Sequence, residues 1–235
     1  MNARFVDRRA AILDRIAAAA SRAGRDPAEV RLVAVAKTAG PASLREAWEA
    51  GHRHFAHNRV QPLMEHHEVL PEANWHLIGP LQRNKARKAV ERVCMIETVA
   101  DLKLASSLNR LAAELRPTPL PVLLQLNLHP ADGRPGFPAA GGAALDALAA
   151  FAGQLQGLEH LELQGLMTIA AADADDQALH RHFARVRELG DQLAKMELLP
   201  SDPVLSMGMS GDFEIAVEEG ATLVRVGRAL FPPAD

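Results

Sequence analysis

Three short stretches carry side chains with chemistry to offer. The first is RLVAVAKT, Arg31 to Thr38, in which the apolar run Leu32 to Ala36 ends in Lys37. An unbroken apolar run reads as a strand buried on both faces. If the strand simply ends there, the Lys37 ammonium reaches water and does nothing more. If Lys37 is held at the mouth of an α/β fold, burial lowers its hold on the proton and frees the amine to attack a carbonyl.

The second stretch is SMGMSGD, Ser206 to Asp212. Its hydroxyls and glycines would let backbone N–H groups approach an anion, with a helix amino terminus behind them. It equally describes a plain loop with a serine helix cap. The third stretch is RVGR, Arg225 to Arg228, which closes another apolar run. Two neighbouring strand ends of this composition read together as a phosphate site.

Other titratable groups are weaker candidates. His66 and His67 lie between Glu65 and Glu68, but adjacent helical residues point apart and no histidine pair is spaced i, i+4, so no metal site is expected. His180 and His182 are expected on the solvated side of their helix. Arg83, Lys85, Arg87 and Lys88 read as a charged helix surface, without the interleaved aromatics of a nucleic-acid site.

Positioning these groups requires a regular alternation of elements. Phe5, Ile12, Leu13, Ile16 and Ala20 form one stripe of a leading helix that stops near Gly24. Strands are predicted at Leu32–Ala36, His54–Ala56, Trp75–Ile78, Val93–Ile96, Val122–Leu128, Leu161–Met167, Val204–Ser206 and Leu223–Val226. Helices or helical turns follow each, with Asn58 expected to cap one and Asp101 another. Pro62 is expected to shorten or kink the helix after Asn58. The longest break is the glycine- and proline-rich loop His129–Gly142. Eight strands, each followed by a helix, with one extra helix in front, predict a single (β/α)8 TIM-type barrel over residues 1–235 whose site lies at the carboxyl ends of the strands. An open doubly wound sheet is the second architecture, though no Gly-x-Gly-x-x-Gly or P-loop pattern accompanies it.

Composition narrows the ligand. The chain has 235 residues, 48% of them hydrophobic, enough for one large core. A net charge of -3 supplies no field for nucleic acid or an anionic membrane, so a small-molecule partner is expected. Cys94, the single cysteine, sits in an apolar run and reads as a buried thiol of a reducing compartment. MNARFVDRRA has no apolar signal core, and no stretch is long enough to span a bilayer, so a cytoplasmic location is expected.

AVAKT at Ala34–Thr38, WHLIGPLQRNK at Trp75–Lys85, GLMTI at Gly165–Ile169 and SMGMSGDFEIAVEEGATLVRVG at Ser206–Gly227 resemble the pyridoxal phosphate homeostasis protein family, the YggS and PROSC group. The similarity runs from about Arg31 to Phe231. It implies a barrel of the alanine racemase type, fold type III among pyridoxal phosphate (PLP) proteins, with pyridoxal 5'-phosphate held as an aldimine, a Schiff base, on Lys37. By the same resemblance, Ser206, Ser210 and the backbone of Gly227 and Arg228 match the phosphate cup, and Arg225 matches the partner of the pyridine nitrogen. Asn58 and His76 match positions lining the pocket. The implied role is intracellular vitamin B6 homeostasis and cofactor carriage without robust catalysis, by a monomer or weak homodimer, with apo PLP enzymes as receiving partners.

The chain departs from that family at several points. Gly-Glu-Asn-Tyr is replaced by Ala56, His57, Asn58 and Arg59, a frequent lysine by Ala39, a small residue by Arg228, and the usual ending by FPPAD. These changes bear on partner contacts and cofactor release. The alternative function is a PLP-dependent racemase or decarboxylase, with a lysine-dependent aldolase further off. A racemase needs an acid and a base on opposite faces of the substrate carbon. In the racemases that this barrel resembles, a tyrosine from a carboxyl-terminal domain supplies the second face. This chain ends just after the barrel and has no tyrosine, which leaves His57 and His76 as substitutes.

Overall fold

The apolar runs become parallel strands with helices between them. A computed structural model describes residues 4–129, 133–141 and 143–232. The end of FPPAD, the start of MNARFVDRRA and parts of the His129–Gly142 loop lie outside the described residues. The strands are β1 (Arg31–Val35), β2 (His54–His57), β3 (Asn74–Leu77), β4 (Met95–Val99), β5 (Leu120–Asn127), β6 (Phe137–Pro138), β7 (Leu161–Thr168), β8 (Val204–Ser206) and β9 (Leu223–Val226). They pair in the order β4-β3-β2-β1-β9-β8-β7-β5, and β4 also pairs with β5, which closes an eight-stranded parallel barrel. The two-residue β6 hangs off β5, outside the closed ring.

Closure explains the continuous apolar runs. In β1, Leu32 and Ala34 face the surrounding helices, while Val33 and Val35 face the barrel interior with Ala56 and Leu223. Further round, Met95, Leu123 and Met167 fill the interior. Both faces of each strand are thus removed from water, and alternation of polar with apolar residues is lost.

The helices are α1 (Phe5–Arg22), α2 (Pro41–Glu49), α3 (Val60–Val69), α4 (Ala86–Arg92), α5 (Leu102–Leu115), α6 (Ala144–Gln156), α7 (Asp176–Lys195) and α8 (Phe213–Glu218). Asp101 caps α5 as expected, its side chain accepting from the Leu104 N–H at 2.8 Å. The leading helix α1 is fastened across the end of the chain: Phe5 packs on Phe231 at 5.3 Å, the Arg8 side chain donates to the Leu230 carbonyl, and Arg15 meets Glu214. No helix among the described residues is long and apolar enough to cross a membrane.

Several local expectations are corrected. The cap of α3 is Arg59, not Asn58, and Pro62 sits in the first turn, where a missing N–H breaks no helical bond. The fourth strand begins at Met95 and runs on through Glu97 and Thr98, because Glu97 turns into the barrel and is bonded there to His76, and the Thr98 hydroxyl donates to the Gly79 carbonyl. Cys94 is only partly buried, since it precedes β4 at the amino-terminal rim.

His182 is buried rather than solvated. It lies three residues after Leu179 and four before Val186, on the packed stripe of α7, and its Nε2 is 2.9 Å from the Thr168 hydroxyl. His180 is half-exposed and pairs with Glu219 at 2.8 Å.

These burials set the acid limb of stability. Desolvation lowers His52, His57 and His182 to about 4, with neighbouring Arg and His charges adding to the effect. Between about 6.5 and about 4 the unfolded chain takes up protons at these positions and the folded chain does not, so stability is complete above that window and falls through it. A melting temperature several degrees lower at pH 5 than at pH 7.5 is expected. His52→Gln should flatten that dependence, and an unchanged slope would remove His52 from the account.

Candidate functional site

The carboxyl ends of the strands enclose a cleft of about 740 Å³. It is lined by the turns after β1, β2 and β3, by Ile169–Ala174 after β7, by Met209–Asp212 after β8 and by the end of β9, with Arg134 on one side. Of the residues singled out in the sequence, Lys37, Asn58, Ser210, Arg225, Gly227 and Arg228 line this one cleft. His76 and Ser206 do not. They lie fully inside the barrel, 1% and 0% exposed.

Lys37 is fixed from both sides. The Ala36 N–H extends the β1 ladder to the Ala56 carbonyl at 2.9 Å, and the Thr38 hydroxyl donates to the Phe231 carbonyl at 3.0 Å. The lysine itself is exposed in the cleft, which corrects the expectation that burial activates it.

Opposite it, the SMGMSGD turn depends on Gly208. Its φ is +92°, and a Cβ there would lie 2.6 Å from the Ala216 Cβ. The Asp212 carboxylate accepts from the Met209 N–H, and the Phe213 N–H donates to the Met209 carbonyl at 2.9 Å. The hydroxyl of Ser210 is left at the cleft wall beside Gly211, whose missing side chain faces open space. Gly227 packs on β1, where a Cβ would be 3.4 Å from the Val35 carbonyl oxygen. Asn58 is held by Gly79 across the mouth, where a Cβ would meet the Asn58 carbonyl oxygen at 2.0 Å.

The floor of the cleft is Arg225, only 3% exposed. Its Nη2 donates to the Thr168 carbonyl at 2.7 Å, and its Nη1 donates to the Ser206 hydroxyl. Ser206 in turn donates to Glu97 Oε2 at 2.6 Å, and Glu97 Oε1 accepts from His76 Nδ1 at 2.8 Å. Nε2 of His76 then meets His54 Nδ1 at 3.2 Å. Burial pulls Arg225 below its ordinary value, opposed by Glu97 and Asp212. Burial likewise opposes the charge on Glu97, but His76, Arg225 and Ser206 hold it below the usual carboxylate range. For His76, burial is outweighed by Cys94 and Glu97, which raise it to about 10.

Glu97, Thr168 and Arg134 were not singled out by the sequence. Arg134 donates to the Ile169 and Ala170 carbonyls and so holds the loop after β7. Glu97 carries no local signal, because an acidic residue after an apolar run reads as the end of a strand.

The cleft therefore offers an amine for a carbonyl, a hydroxyl and small-residue backbone for an anion, and a buried guanidinium for a hydrogen-bond acceptor. Among the described residues no histidine lines it, and the carboxylates that do are Asp173, which is exposed, and Asp212, which is engaged with the Met209 N–H.

Residues 8–234 match the family described as alanine racemase, N-terminal domain. The chain is 42% identical over 231 residues to the pyridoxal phosphate homeostasis protein of Pseudomonas aeruginosa, covering 96% of this chain and 94% of that one. It is 38% identical over 233 residues to the protein of the same name from Escherichia coli K12, covering 96% and 95%. Among solved structures, PipY of Synechococcus elongatus PCC7942 with PLP bound is 39% identical with a TM-score of 0.79, covering 92% of this chain and 99% of that one. Alanine racemase of Clostridium difficile 630 shares the fold at 15% identity and a TM-score of 0.68, over 95% of this chain and 57% of its own.

Proposed function

The chain belongs to the pyridoxal phosphate homeostasis proteins within the alanine racemase N-terminal domain family, and from that premise we propose that it binds pyridoxal 5'-phosphate and serves intracellular homeostasis of that cofactor. The observation that carries this reading is the meeting of Lys37, Ser210, Arg225 and Gly227 around one cleft, from strand ends far apart in sequence. The donors fit the ligand: one amine for the aldehyde, neutral donors for the phosphate and a guanidinium for the ring nitrogen.

Lys37 supplies the amine to which the aldehyde is linked. Ser210 and the backbone at Gly227 and Arg228 take the phosphate, with the Arg228 side chain adding a cation at the exposed rim. Ser206 is engaged by Glu97 and Arg225 and stands behind Arg225 rather than in the phosphate cup. His76 likewise supports the floor from inside the barrel, and Asn58 closes the mouth. Ser210→Ala removes a hydrogen bond to a charged group, worth about 1.5–3 kcal/mol, so affinity for PLP should fall about ten- to a hundredfold by equilibrium titration. Unchanged affinity would place the phosphate elsewhere.

Bound PLP supplies an aldehyde and an electron-withdrawing ring. Arg225 keeps its protons and can only donate to the ring nitrogen, which leaves that nitrogen unprotonated and the ring a poor electron sink. Lys37 reaches one face of a bound amino acid. His57 and His76, the substitutes for a second base, both lie outside the cleft lining. The reading is therefore a cytoplasmic carrier that keeps a reactive aldehyde masked and passes it to apo PLP enzymes, with negligible racemase activity. The PLP-loaded protein incubated with L-alanine in deuterium oxide tests it. Slow α-proton exchange without D-alanine is expected, whereas accumulating D-alanine would establish a racemase.

A further inference from the structure

A carboxylate with no solvent exposure lies in the centre of the barrel, and nothing in the reading above requires it. Glu97 comes from β4, Ser206 from β8, Arg225 from β9 and Thr168 from β7, so four strands converge on one polar cluster beneath the cleft. Burying a charge is costly unless it is paired and hydrogen-bonded, and this one is held on both oxygens. The direction of the bonds follows from the inventory of donors. The Glu97 carboxylate has no proton to give, so the Ser206 hydroxyl spends its only hydrogen on Oε2 and must accept from Arg225 Nη1. Arg225 Nη1 is 3.9 Å from Glu97 Oε2, too far for a hydrogen bond, which makes the serine the necessary connector.

We propose that Glu97 is a positioning residue for the cofactor: through Ser206 it fixes the Arg225 guanidinium in the cleft floor and compensates its charge. The inference rests on the PLP reading, because it assigns Arg225 to the ring nitrogen. Two carbonyl- and carboxylate-directed anchors, Thr168 and the Ser206–Glu97 arm, hold the two Nη groups, and Arg225 so held lines the cleft. Bonds in such a chain polarise one another, so loss of the terminal carboxylate weakens the serine bond as well. The role of Glu97 as a mere counterion for buried His76 predicts something different, since His76 does not touch Arg225.

The test uses Glu97→Gln, which keeps shape and removes charge, with Ser206→Ala as the second variant and Glu91→Gln on the exposed face of α4 as control. In nitrogen-15-labelled protein without cofactor, the Arg225 side-chain N–H resonances should be separate and slowly exchanging in the parent and broadened in both variants. In the PLP-loaded proteins, the pH midpoint of the visible band should fall by about one unit or more in Glu97→Gln, because an uncompensated guanidinium disfavours further positive charge nearby. Ser206→Ala keeps the Glu97 charge, so it should broaden the resonances while moving the midpoint less, and the control should do neither. Parent-like resonances and a parent-like midpoint, even with a lowered melting temperature, would overturn the proposal and leave Glu97 a structural counterion. If Glu97→Gln does not fold, Ser206→Ala decides by the Arg225 resonances, parent-like resonances overturning the proposal. A parent protein that develops no visible band with PLP would defeat the cofactor reading instead, and the cofactor-free resonances would still judge Glu97.

Discussion

Lys37→Ala is expected to yield a folded protein that loses PLP on gel filtration, while the parent keeps it. The lysine side chain is exposed, and its backbone is pinned by Ala36 and Thr38. Stability should therefore change by no more than about 0.5 kcal/mol. Retention should fall by on the order of a hundredfold or more, because the one lysine that lines the cleft among the described residues is gone and the remaining donors hold the ligand reversibly. The other lysines, Lys85, Lys88, Lys103 and Lys195, sit on helices or helical turns and do not line the cleft. Borohydride reduction of the loaded parent followed by peptide mass spectrometry should place the pyridoxyl group on Lys37. A label found mainly on Lys85 or Lys88 would end the assignment.

The second large effect is expected at Gly165. It pairs with Val204 between β7 and β8, and a Cβ at that position would lie 2.0 Å from the Val204 carbonyl oxygen. The obstacle is backbone in a closed ring, so it cannot swing aside as a side chain would. Gly165→Ala should force β7 from β8 just below Ser206 and Thr168, and so disturb the anchors of Arg225. A loss of several kcal/mol, in the range of severe overpacking, is expected, read as aggregation on expression or a melting temperature lowered by ten degrees or so. Gly211→Ala, where nothing lies within 4 Å, is the comparison and should melt like the parent. Equal behaviour of the two variants would show that the barrel relaxes around Gly165 at little cost.

The same glycine geometry explains why the family stretches read so clearly. GLMTI contains Gly165 because two backbones touch there, and SMGMSGD contains Gly208 because its backbone turns at positive φ against α8. Both are requirements of local geometry that leave a mark on residue type. Asn58 is different. Its place at the mouth depends on Gly79 from another strand end, and the capping role read for it belongs to Arg59.

The sequence by itself determined the barrel, its leading helix and the residue at the end of β1. Burial of both faces of each strand writes continuous apolar runs, and helix stripes repeat between them, so eight repeats were countable without coordinates. Lys37, Ser210, Gly227 and Arg228, which line the cleft, lie at strand ends and in a glycine turn, local features that leave a mark on a sequence. Only the tertiary structure decided what the barrel interior does. Glu97 reads as a strand end and Ser206 as one more phosphate donor, because a polar side chain in sequence carries no record of a partner 109 residues away; His182, expected on the solvated side, packs in the stripe of α7 and meets Thr168. Closure of β4 onto β5 brings Glu97, His76, Ser206 and Arg225 to one point, and the hydrogen bonds formed there outweigh what each residue type would have chosen alone.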